Sequence, residues 1–284
     1  MVLQELTMLS ITVLVENTAN RLNLLAEHGL AFWIERDGRR ILFDTGQGLA
    51  MQHNAAVLGI DLSAVDEIAL SHGHYDHTGG LAAALSNFRQ AKVYAHLAAF
   101  RTRFVKDHDG QVRPVGAPVE SRDWLSSRVG QMIATRGGPV GLGGGIWLTG
   151  EIPRRNEYED TGGAFYLDEA CTAADLVIDD QAMFIETTKG LVVLLGCAHA
   201  GVVNTLEHIR AATGEARIHA IMGGMHLLAA GERRMAETAA RLSSLNIEHV
   251  GLGHCTGFAA MARLHRELPS RCFHCVTGTR LVFD

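Results

Sequence analysis

The chain has 284 residues, of which 47% are hydrophobic, so it is long and apolar enough to bury a core as one large domain or two moderate ones. Its formal net charge of -6 at pH 7 excludes a basic footprint for nucleic acid, and an aromatic content of 6% leaves little surface for stacking single strands. A small molecule is therefore the expected partner.

The first part of the chain is predicted to be rich in strands. Alternating and β-branched apolar residues predict strands over 10–15, 30–36, 39–46, 67–71 and 91–96. Asp37-Gly38 is typical of a hairpin turn between the second and third of these strands. Helical spacing follows over 48–58 and 79–88. We expect a sheet with crossover helices.

Residues 97–168 break this pattern with scattered arginines and the glycine-rich stretch GLGGG at 141–145. A long, weakly periodic segment is more often a functional cover than a layer of the core, so we predict an insert or cap here. The same segment offers a surface for a homodimer, although no periodic apolar seam marks one.

The pattern resumes at 182–196 with a predicted hairpin, followed by strands over 217–224 and 247–253 and helices over 202–213, 232–245 and 258–268. The two halves therefore repeat one scheme, in which strand ends carry His or Asp. No segment is rich enough in Pro, Gly and Ser to act as a linker, so residues 1–284 are predicted to form a single domain.

The five cysteines form an odd set without a regular framework, which favours reduced thiols and a cytoplasmic setting. Cys272 and Cys275 have the CxxC spacing, but without a second pair we expect core thiols rather than a zinc knuckle. The first 20 residues lack a basic region, a cleavage site and a continuous apolar span, so neither secretion nor a membrane anchor is expected.

The sequence SHGHYDHTGG at 71–80 places three histidines and one aspartate within six residues, directly after a predicted strand. Neutral imidazoles and carboxylates are ligands that zinc, manganese and iron accept. In an extended backbone, His72 and His74 point the same way and can share one ion. Asp76 and His77 can hold a second ion about 3.5–4 Å away. We expect two divalent metal ions, Zn²⁺ first, with Mn²⁺ or Fe²⁺ as alternatives.

Three more motifs at predicted strand ends extend a resemblance to the metallo-β-lactamase superfamily along the whole chain. LFDTG at 42–46 resembles the first motif of the family, whose aspartate, here Asp44, orients the ligands. GCAHAG at 196–201 and GHCTG at 253–257 resemble two later motifs. The resemblance implies that His199 completes the ligand set of the first ion and His254 that of the second. It also implies an α/β fold, the four-layer αββα sandwich.

One stretch departs from the family pattern. Most binuclear members have a bridging aspartate after the strand that follows the third motif, but this chain has GGMH at 223–226. We expect His226 to be an active-site residue rather than a cap of the following helix. Either it supplies a ligand, or only water and substrate bridge the ions, or the second ion binds weakly.

Two further cysteines and several histidines lie outside these motif positions. Cys197 and Cys255 precede or follow ligand histidines, and although a role at the metal is conceivable, we expect small buried packing residues. The remaining histidines, such as His28, His53 and His265, have no partners at useful spacing and are expected to be ordinary surface or core residues.

Finer similarity, in TGEIPR at 149–154, GGMHL at 223–227 and CVTGT at 275–279, is to the dihydropteroate-synthase-like branch of the superfamily. Its members are named 7,8-dihydropterin-6-yl-methyl-4-(β-D-ribofuranosyl)aminobenzene 5′-phosphate synthases. The resemblance implies a binuclear metal enzyme whose substrate is a small phosphorylated or diphosphorylated compound.

Within that scheme we assign expected roles to individual residues. Asp76 is expected to act as both ligand and proton acceptor, with His226 and Asp44 as the other catalytic candidates. Arginine can clamp phosphate bidentately, so Arg154 and Arg155, together with His226, are the expected substrate-binding residues.

Two other functions stay open on the sequence. A metal-dependent hydrolase of a phosphodiester, lactone or thioester needs the same nucleophile and differs mainly in the segment that covers the site. A protein of another class, which binds or senses a ligand with little turnover, would keep the metal; the complete ligand set weakens this interpretation, and the missing aspartate supports it.

Overall fold

The computed structural model describes residues 8–82, 91–107, 109–126 and 132–284. Two seven-stranded sheets form its frame. Of the helix predicted over 79–88, only residues 79–82 are described.

The first sheet is built mostly from the N-terminal half of the chain. Its strands are β1 (Leu9–Val15), β2 (Ala31–Arg36), β3 (Arg39–Phe43), β4 (Glu67–Ala69), β5 (Lys92–His96), β8 (Met132–Thr135) and β17 (Arg280–Phe283). They lie in the order β17-β1-β2-β3-β4-β5-β8. The hairpin predicted at Asp37-Gly38 is confirmed, with Phe32 opposite Phe43. From β3 to β8 neighbouring strands are parallel, so their carboxyl ends meet at one edge.

The second sheet has a similar plan. Its strands are β9 (Val140–Gly143), β10 (Ile146–Leu148), β12 (Met183–Thr187), β13 (Gly190–Leu195), β14 (Ile218–Gly224), β15 (His249–Gly253) and β16 (Cys272–His274). They lie in the order β16-β15-β14-β13-β12-β10-β9. The strands from β13 to β16 are parallel, which again brings their carboxyl ends together.

The described part of the chain also contains six helices. They are α1 (Met51–Leu58), α2 (Tyr75–Thr78), α3 (Val119–Ser126), α4 (Val202–Thr213), α5 (Glu232–Ser244) and α6 (Phe258–Glu267), with 3-10 turns at Leu62–Ala64, Leu97–Phe100 and His254–Thr256. None of the helices in the described part of the chain is long and apolar enough to cross a membrane.

Three apolar clusters define the layers. Ile11 of the first sheet and Met222 of the second belong to one cluster, which lies between the sheets. Leu206 and Leu264 pack with the outer face of the second sheet. Met51 packs with the outer face of the first. The order of layers is helix, sheet, sheet, helix, so the predicted four-layer αββα sandwich is confirmed.

The cap predicted over residues 97–168 is wrong in extent, because β8, β9 and β10 belong to the two main sheets. The short strands β6 (Phe104–Lys106), β7 (Val112–Pro114) and β11 (Phe165–Tyr166) do form a separate small sheet, in the order β11-β6-β7. Strands β8, β9 and β10 could not be predicted from the sequence because they are only three or four residues long, and β9 has the sequence VGLG. Such stretches give almost no alternation to detect.

Candidate metal centre

The ligand-type side chains come together at the edge where the parallel strands of both sheets end. Asp44 follows β3, the segment 72–77 follows β4, His199 follows β13, His226 follows β14 and His254 follows β15. Asp44 and His254 have positive φ angles, of 62° and 52°, so the chain turns sharply as it leaves these strands. The strands β3 and β4 stop two or three residues before their predicted ends, whereas β14 and β15 end at 224 and 253 as predicted. In each case a turn after the strand presents the site residue.

The first candidate ligand set consists of His72, His74 and His199. All three side chains are buried, with ring centroids 4.6, 4.7 and 4.8 Å apart. Nε2 of His72 lies 3.0 Å from Nδ1 of His74. Nε2 of His199 is buried and has no hydrogen-bond partner among the described residues. Such an orphaned imidazole nitrogen, on a ring that lies beside those of His72 and His74, suits a metal ion.

The second set consists of Asp76, His77 and His254. Nε2 of His77 lies 3.2 Å from Nε2 of His254. Oδ2 of Asp76 lies 3.3 Å from Nε2 of His254 and 3.6 Å from Nε2 of His77. Ligand atoms about 2.0–2.1 Å from a tetrahedral zinc ion lie roughly 3.4 Å apart, so these separations fit one ion. The rings of His72 and His77 are 4.3 Å apart, which places the two sets side by side.

Asp44 orients ligands of both sets. Its Oδ2 accepts a hydrogen bond from Nδ1 of His77 at 2.8 Å and another from the Ser71 hydroxyl at 2.7 Å. Oγ of Ser71 in turn accepts from Nδ1 of His72 at 2.8 Å. Because each Nδ1 donates its proton outward, each Nε2 is left with a lone pair for an ion.

The other two long-range ligands are held in the same way. Nδ1 of His199 donates to the main-chain oxygen of Thr161 at 2.8 Å, and Nδ1 of His254 donates to Oδ1 of Asn17 at 2.9 Å. Both contacts fix the tautomer that leaves Nε2 unprotonated. Neither Thr161 nor Asn17 was predicted from the sequence.

The electrostatics of the site also suit metal ligands. Burial lowers the pKa of His72, His74 and His199 well below the ordinary value, so these imidazoles are neutral at pH 7. Burial alone would lower the pKa of His77 too, but the carboxylates of Asp76 and Asp44 outweigh it and raise that pKa to about 9. In the metal-free protein His77 therefore carries a proton that a bound ion would displace.

Comparison with known proteins agrees with this geometry. Residues 25–169 match the model of the metallo-beta-lactamase superfamily. Over 245 residues, 83% of each chain, the sequence is 31% identical to the 7,8-dihydropterin-6-methyl-4-(beta-D-ribofuranosyl)-aminobenzene-5′-phosphate synthase of Methanocaldococcus jannaschii. The chain belongs to the metallo-β-lactamase superfamily. The resemblance inferred from its motifs is thus confirmed.

Solved structures of the superfamily have the same architecture. The crystal structure of Tm1679, described as a metal-dependent hydrolase of the beta-lactamase superfamily, superimposes with a TM-score of 0.82 at 29% identity, covering 97% of this chain and 100% of that one. A diphosphatase from the PhnP family, at 14% identity and a TM-score of 0.55, covers 97% of both chains and shares the fold.

His226 lies on the turn after β14, where the family pattern led us to expect a bridging aspartate. Its ring centroid lies 4.3 Å from that of His199, and its φ of 46° turns the chain beside the centre. It does not cap the next helix, since α5 begins at Glu232 after Gly231. Burial lowers the pKa of His226 below its ordinary value, so the ring is neutral at pH 7. Its role as a ligand stays a prediction.

The two arginines predicted to bind substrate are exposed. Nη2 of Arg154 donates to the main-chain oxygen of Leu176 at 2.8 Å, and the main-chain N–H of Arg155 donates to Oδ1 of Asn204 at 2.9 Å. Neither forms a hydrogen bond with a ligand histidine in the described part of the chain. Their part in substrate binding stays a prediction.

Two further residues, His28 and Cys197, lie beside the second ligand set. His28, expected to be ordinary, has its Nε2 3.3 Å from Oδ2 of Asp76 and its ring 5.4 Å from that of His254. Cys197 has its Sγ 3.2 Å from Nε2 of His77. Spacing could not reveal His28, because it lies in a loop before β2. Cys197 did carry a signal, since it is two residues from His199 in the third motif.

Replacing Asp44 by asparagine is expected to weaken metal binding by roughly 10–100-fold, the usual cost of losing an orienting contact. An amide offers one acceptor oxygen, whereas the carboxylate accepts from His77, from the Ser71 hydroxyl and from the Ser71 N–H at 2.7 Å. Competition with a coloured chelator measures the change. Asp109→Asn, at an exposed turn, is the control and should bind metal as the wild type does.

Asp180 makes stability depend on pH. It is buried, its Oδ2 accepts the N–H of Ala200 at 2.7 Å, and burial raises its pKa to about 7. The unfolded chain releases this proton near pH 4 and the folded chain only near 7, so the unfolded state binds fewer protons in between. The free energy of unfolding should therefore fall as pH rises from about 4 to 7.

Urea titrations of the chelator-treated protein across this window measure the effect. Asp180→Asn keeps the shape of the side chain but cannot ionise, so its free energy of unfolding should lose this part of the pH dependence and exceed that of the wild type at pH 8. Equal slopes in the two proteins would show that Asp180 is ionised throughout.

Proposed function

We propose that the chain is a binuclear metal enzyme acting on a small phosphorylated or diphosphorylated metabolite, in a reaction like that named for its archaeal relative. The observation that carries the proposal is the pair of adjoining ligand sets, joined at the 4.3 Å contact between His72 and His77. The relative, 31% identical, is itself a synthase, which supports an enzymatic role for this chain. Cytoplasmic location and the absence of nucleic acid and membrane partners stay predictions.

The residues divide the chemistry between them. Bound divalent ions would polarise a phosphoryl oxygen and lower the pKa of a water molecule toward neutrality. Burial would raise the pKa of Asp76, but the nearby charge of His77 outweighs it and holds the pKa far below the ordinary value. So weak a base suits a ligand better than a proton acceptor. The neutral ring of His226 is the better proton acceptor.

Recognition of the phosphate would fall to residues outside the ligand sets. Burial lowers the pKa of Arg154 below its ordinary value, and nearby Asp180 offsets part of this effect. Asp180 also accepts the N–H of Ala200 in the turn after His199. We therefore assign the phosphate of the substrate to the side of the centre where Arg154 lies. Arg154 can exchange the carbonyl of Leu176 for an anion, because a phosphate oxygen carries a negative charge that the neutral carbonyl lacks.

If so, Arg154→Met should raise KM for phosphate-bearing substrates, and leave kcat nearly unchanged. Hydrogen bonds to charged groups contribute about 1.5–3 kcal/mol, which corresponds to roughly 10–100-fold in KM. Arg217→Met, also exposed and paired with nearby Glu215, is the control. Equal KM values for the two variants would remove Arg154 from the binding site.

A second candidate is hydrolysis of a phosphodiester, lactone or thioester. The observation that favours it is the similarity to Tm1679, described as a metal-dependent hydrolase, at 29% identity over 97% of this chain. The same ions and the same water would serve, so the two candidates differ in substrate and not in the centre.

A substrate panel separates the candidates. Zinc-loaded protein is assayed with a dihydropterin diphosphate plus an aminobenzene ribofuranosyl phosphate, and separately with bis-p-nitrophenyl phosphate, simple lactones and thioesters. Formation of the pterin–aminobenzene bond with release of pyrophosphate would support the synthase. Turnover of an ester or lactone alone would favour the hydrolase. No turnover of any substrate by protein that holds about two ions would count against both.

A further inference from the structure

We propose that the thiolate of Cys197 is a metal ligand shared between the two sets, in the place where the chain lacks a bridging carboxylate. The inference rests on the proposed binuclear centre and adds to it a ligand that the motifs do not assign.

The sulfur atom of Cys197 lies close to both ligand sets. Its Sγ forms a compact group with ring nitrogens of His72 and His199, all within 4.8 Å of one another. It forms a second such group with His77 and His254. Among the described residues, Cys197 is the one that both of these groups contain. A single ligand atom that reaches both sets is what a bridge requires.

The distances fit coordination. Sγ lies 3.2 Å from Nε2 of His77, which itself lies 3.2 Å from Nε2 of His254. Around a tetrahedral ion with bonds of about 2.3 Å to sulfur and 2.0–2.1 Å to nitrogen, the sulfur and nitrogen atoms lie roughly 3.6 Å apart. A movement of a few tenths of an ångström would complete the set.

The backbone around Cys197 is held in place from both sides. A Cβ on Gly196 would come within 2.1 Å of Oγ of Ser71, so β13 ends directly against the residue that bonds Asp44. Ala198 has a φ of 56°, a conformation that costs roughly 1–2 kcal/mol for a residue with a Cβ. Strain of this kind persists where the surroundings enforce it, and here it accompanies the placement of Cys197 beside His199.

Charge balance points the same way. Two divalent ions bring four positive charges, yet the six predicted ligands include five neutral imidazoles and one carboxylate, that of Asp76. Loss of one proton from Cys197 when an ion binds supplies a second negative charge in the buried centre. A simple packing thiol would leave that charge to solvent or substrate. A soft thiolate also favours zinc over manganese.

Cys255 provides a matched control. Its Sγ groups with Cys197 and His226, but not with either ligand set, and it contacts the main-chain oxygen of Cys197 at 3.7 Å. The Cys255 thiol therefore lies next to Cys197, but it is not expected to bind either ion.

The test uses cobalt(II) in place of zinc, because thiolate bonded to cobalt gives a charge-transfer band in the near ultraviolet that imidazole and carboxylate ligands do not give. Spectra and metal content are measured for the full-length wild type and for Cys197→Ser, Cys255→Ser and Cys197→Asp. We expect the wild type and Cys255→Ser to show the band with about two ions per chain. Cys197→Ser should lose the band and retain about one ion, whereas Cys197→Asp should hold two ions without the band.

Zinc X-ray absorption of the wild type and Cys255→Ser needs no change at Cys197, and therefore remains decisive if the Cys197 variants do not fold. A sulfur neighbour at about 2.3 Å in both proteins supports the proposal. A band that survives in Cys197→Ser, or two ions bound without any sulfur neighbour, overturns the thiolate ligand while leaving the binuclear enzyme intact. Protein that binds no ion under any of these conditions overturns both.

Discussion

A His74→Ala variant is expected to lose at least one of the two ions and to turn over substrate more slowly by more than the roughly 10–100-fold typical of losing an orienting residue. His74 supplies Nδ1 at 3.0 Å from Nε2 of His72, and its ring lies 4.8 Å from that of His199. Without it the first set keeps two of its three imidazoles, one ligand fewer than the centre is built to offer, so the first ion should bind more weakly. Elemental analysis of dialysed protein and steady-state rates measure the two effects.

The matched control is His265→Ala, which removes an exposed imidazole on α6 and should leave metal content and rate unchanged. Far-ultraviolet circular dichroism checks that both variants fold. A His74→Ala protein that keeps two ions and the wild-type rate would mean that the first set is not a metal site.

The clustering of ligand-type side chains could be predicted in part because four of these residues are local in sequence. His72, His74, Asp76 and His77 follow one strand, and a metal ion needs ligand atoms so close together that short spacing is itself a signal. The parallel strands also allowed the positions of the remaining candidate ligands to be predicted. Once each motif was assigned to a strand end, the sheet topology brought His199 and His254 to the same edge.

The contacts that orient the ligands could not be predicted in this way. Asn17 reaches His254 from 237 positions away, and Thr161 holds His199 through its main-chain oxygen, which no side-chain pattern reveals. His28 approaches Asp76 from a loop without regular structure. Such contacts depend on how loops pack over a finished frame, so they become visible only in three dimensions.

The burial of Arg103 also could not be predicted from the sequence. It is one of the scattered arginines of residues 97–168, which suggested substrate binding, yet it is fully buried. Its Nε lies 2.9 Å from Oδ2 of Asp175, and its Nη1 donates to Oδ2 of Asp179 at 3.0 Å. That same oxygen of Asp179 accepts the N–H of Gly73 at 2.8 Å. Arg103 therefore fixes the backbone between His72 and His74.

Arg103→Met is expected to lower the free energy of unfolding by about 3–5 kcal/mol, because it leaves the buried carboxylates of Asp175 and Asp179 without their cation. Metal affinity should fall as well, because Asp179, no longer held by Arg103, also anchors the N–H of Gly73 between His72 and His74. Urea unfolding of chelator-treated protein isolates the first effect, and chelator competition measures the second.

Arg113→Met is the control, because it breaks an exposed pair with Asp107 and should cost only about 0–1 kcal/mol. Adding Asp179→Asn to Arg103→Met removes one stranded charge, and the double variant should recover part of the lost stability. Because an asparagine oxygen can still accept from Gly73, metal affinity should recover with it. The buried ion pair would not hold the metal-binding turn if Arg103→Met lowered the free energy of unfolding no more than the control does. The same conclusion would follow if the double variant were less stable than Arg103→Met.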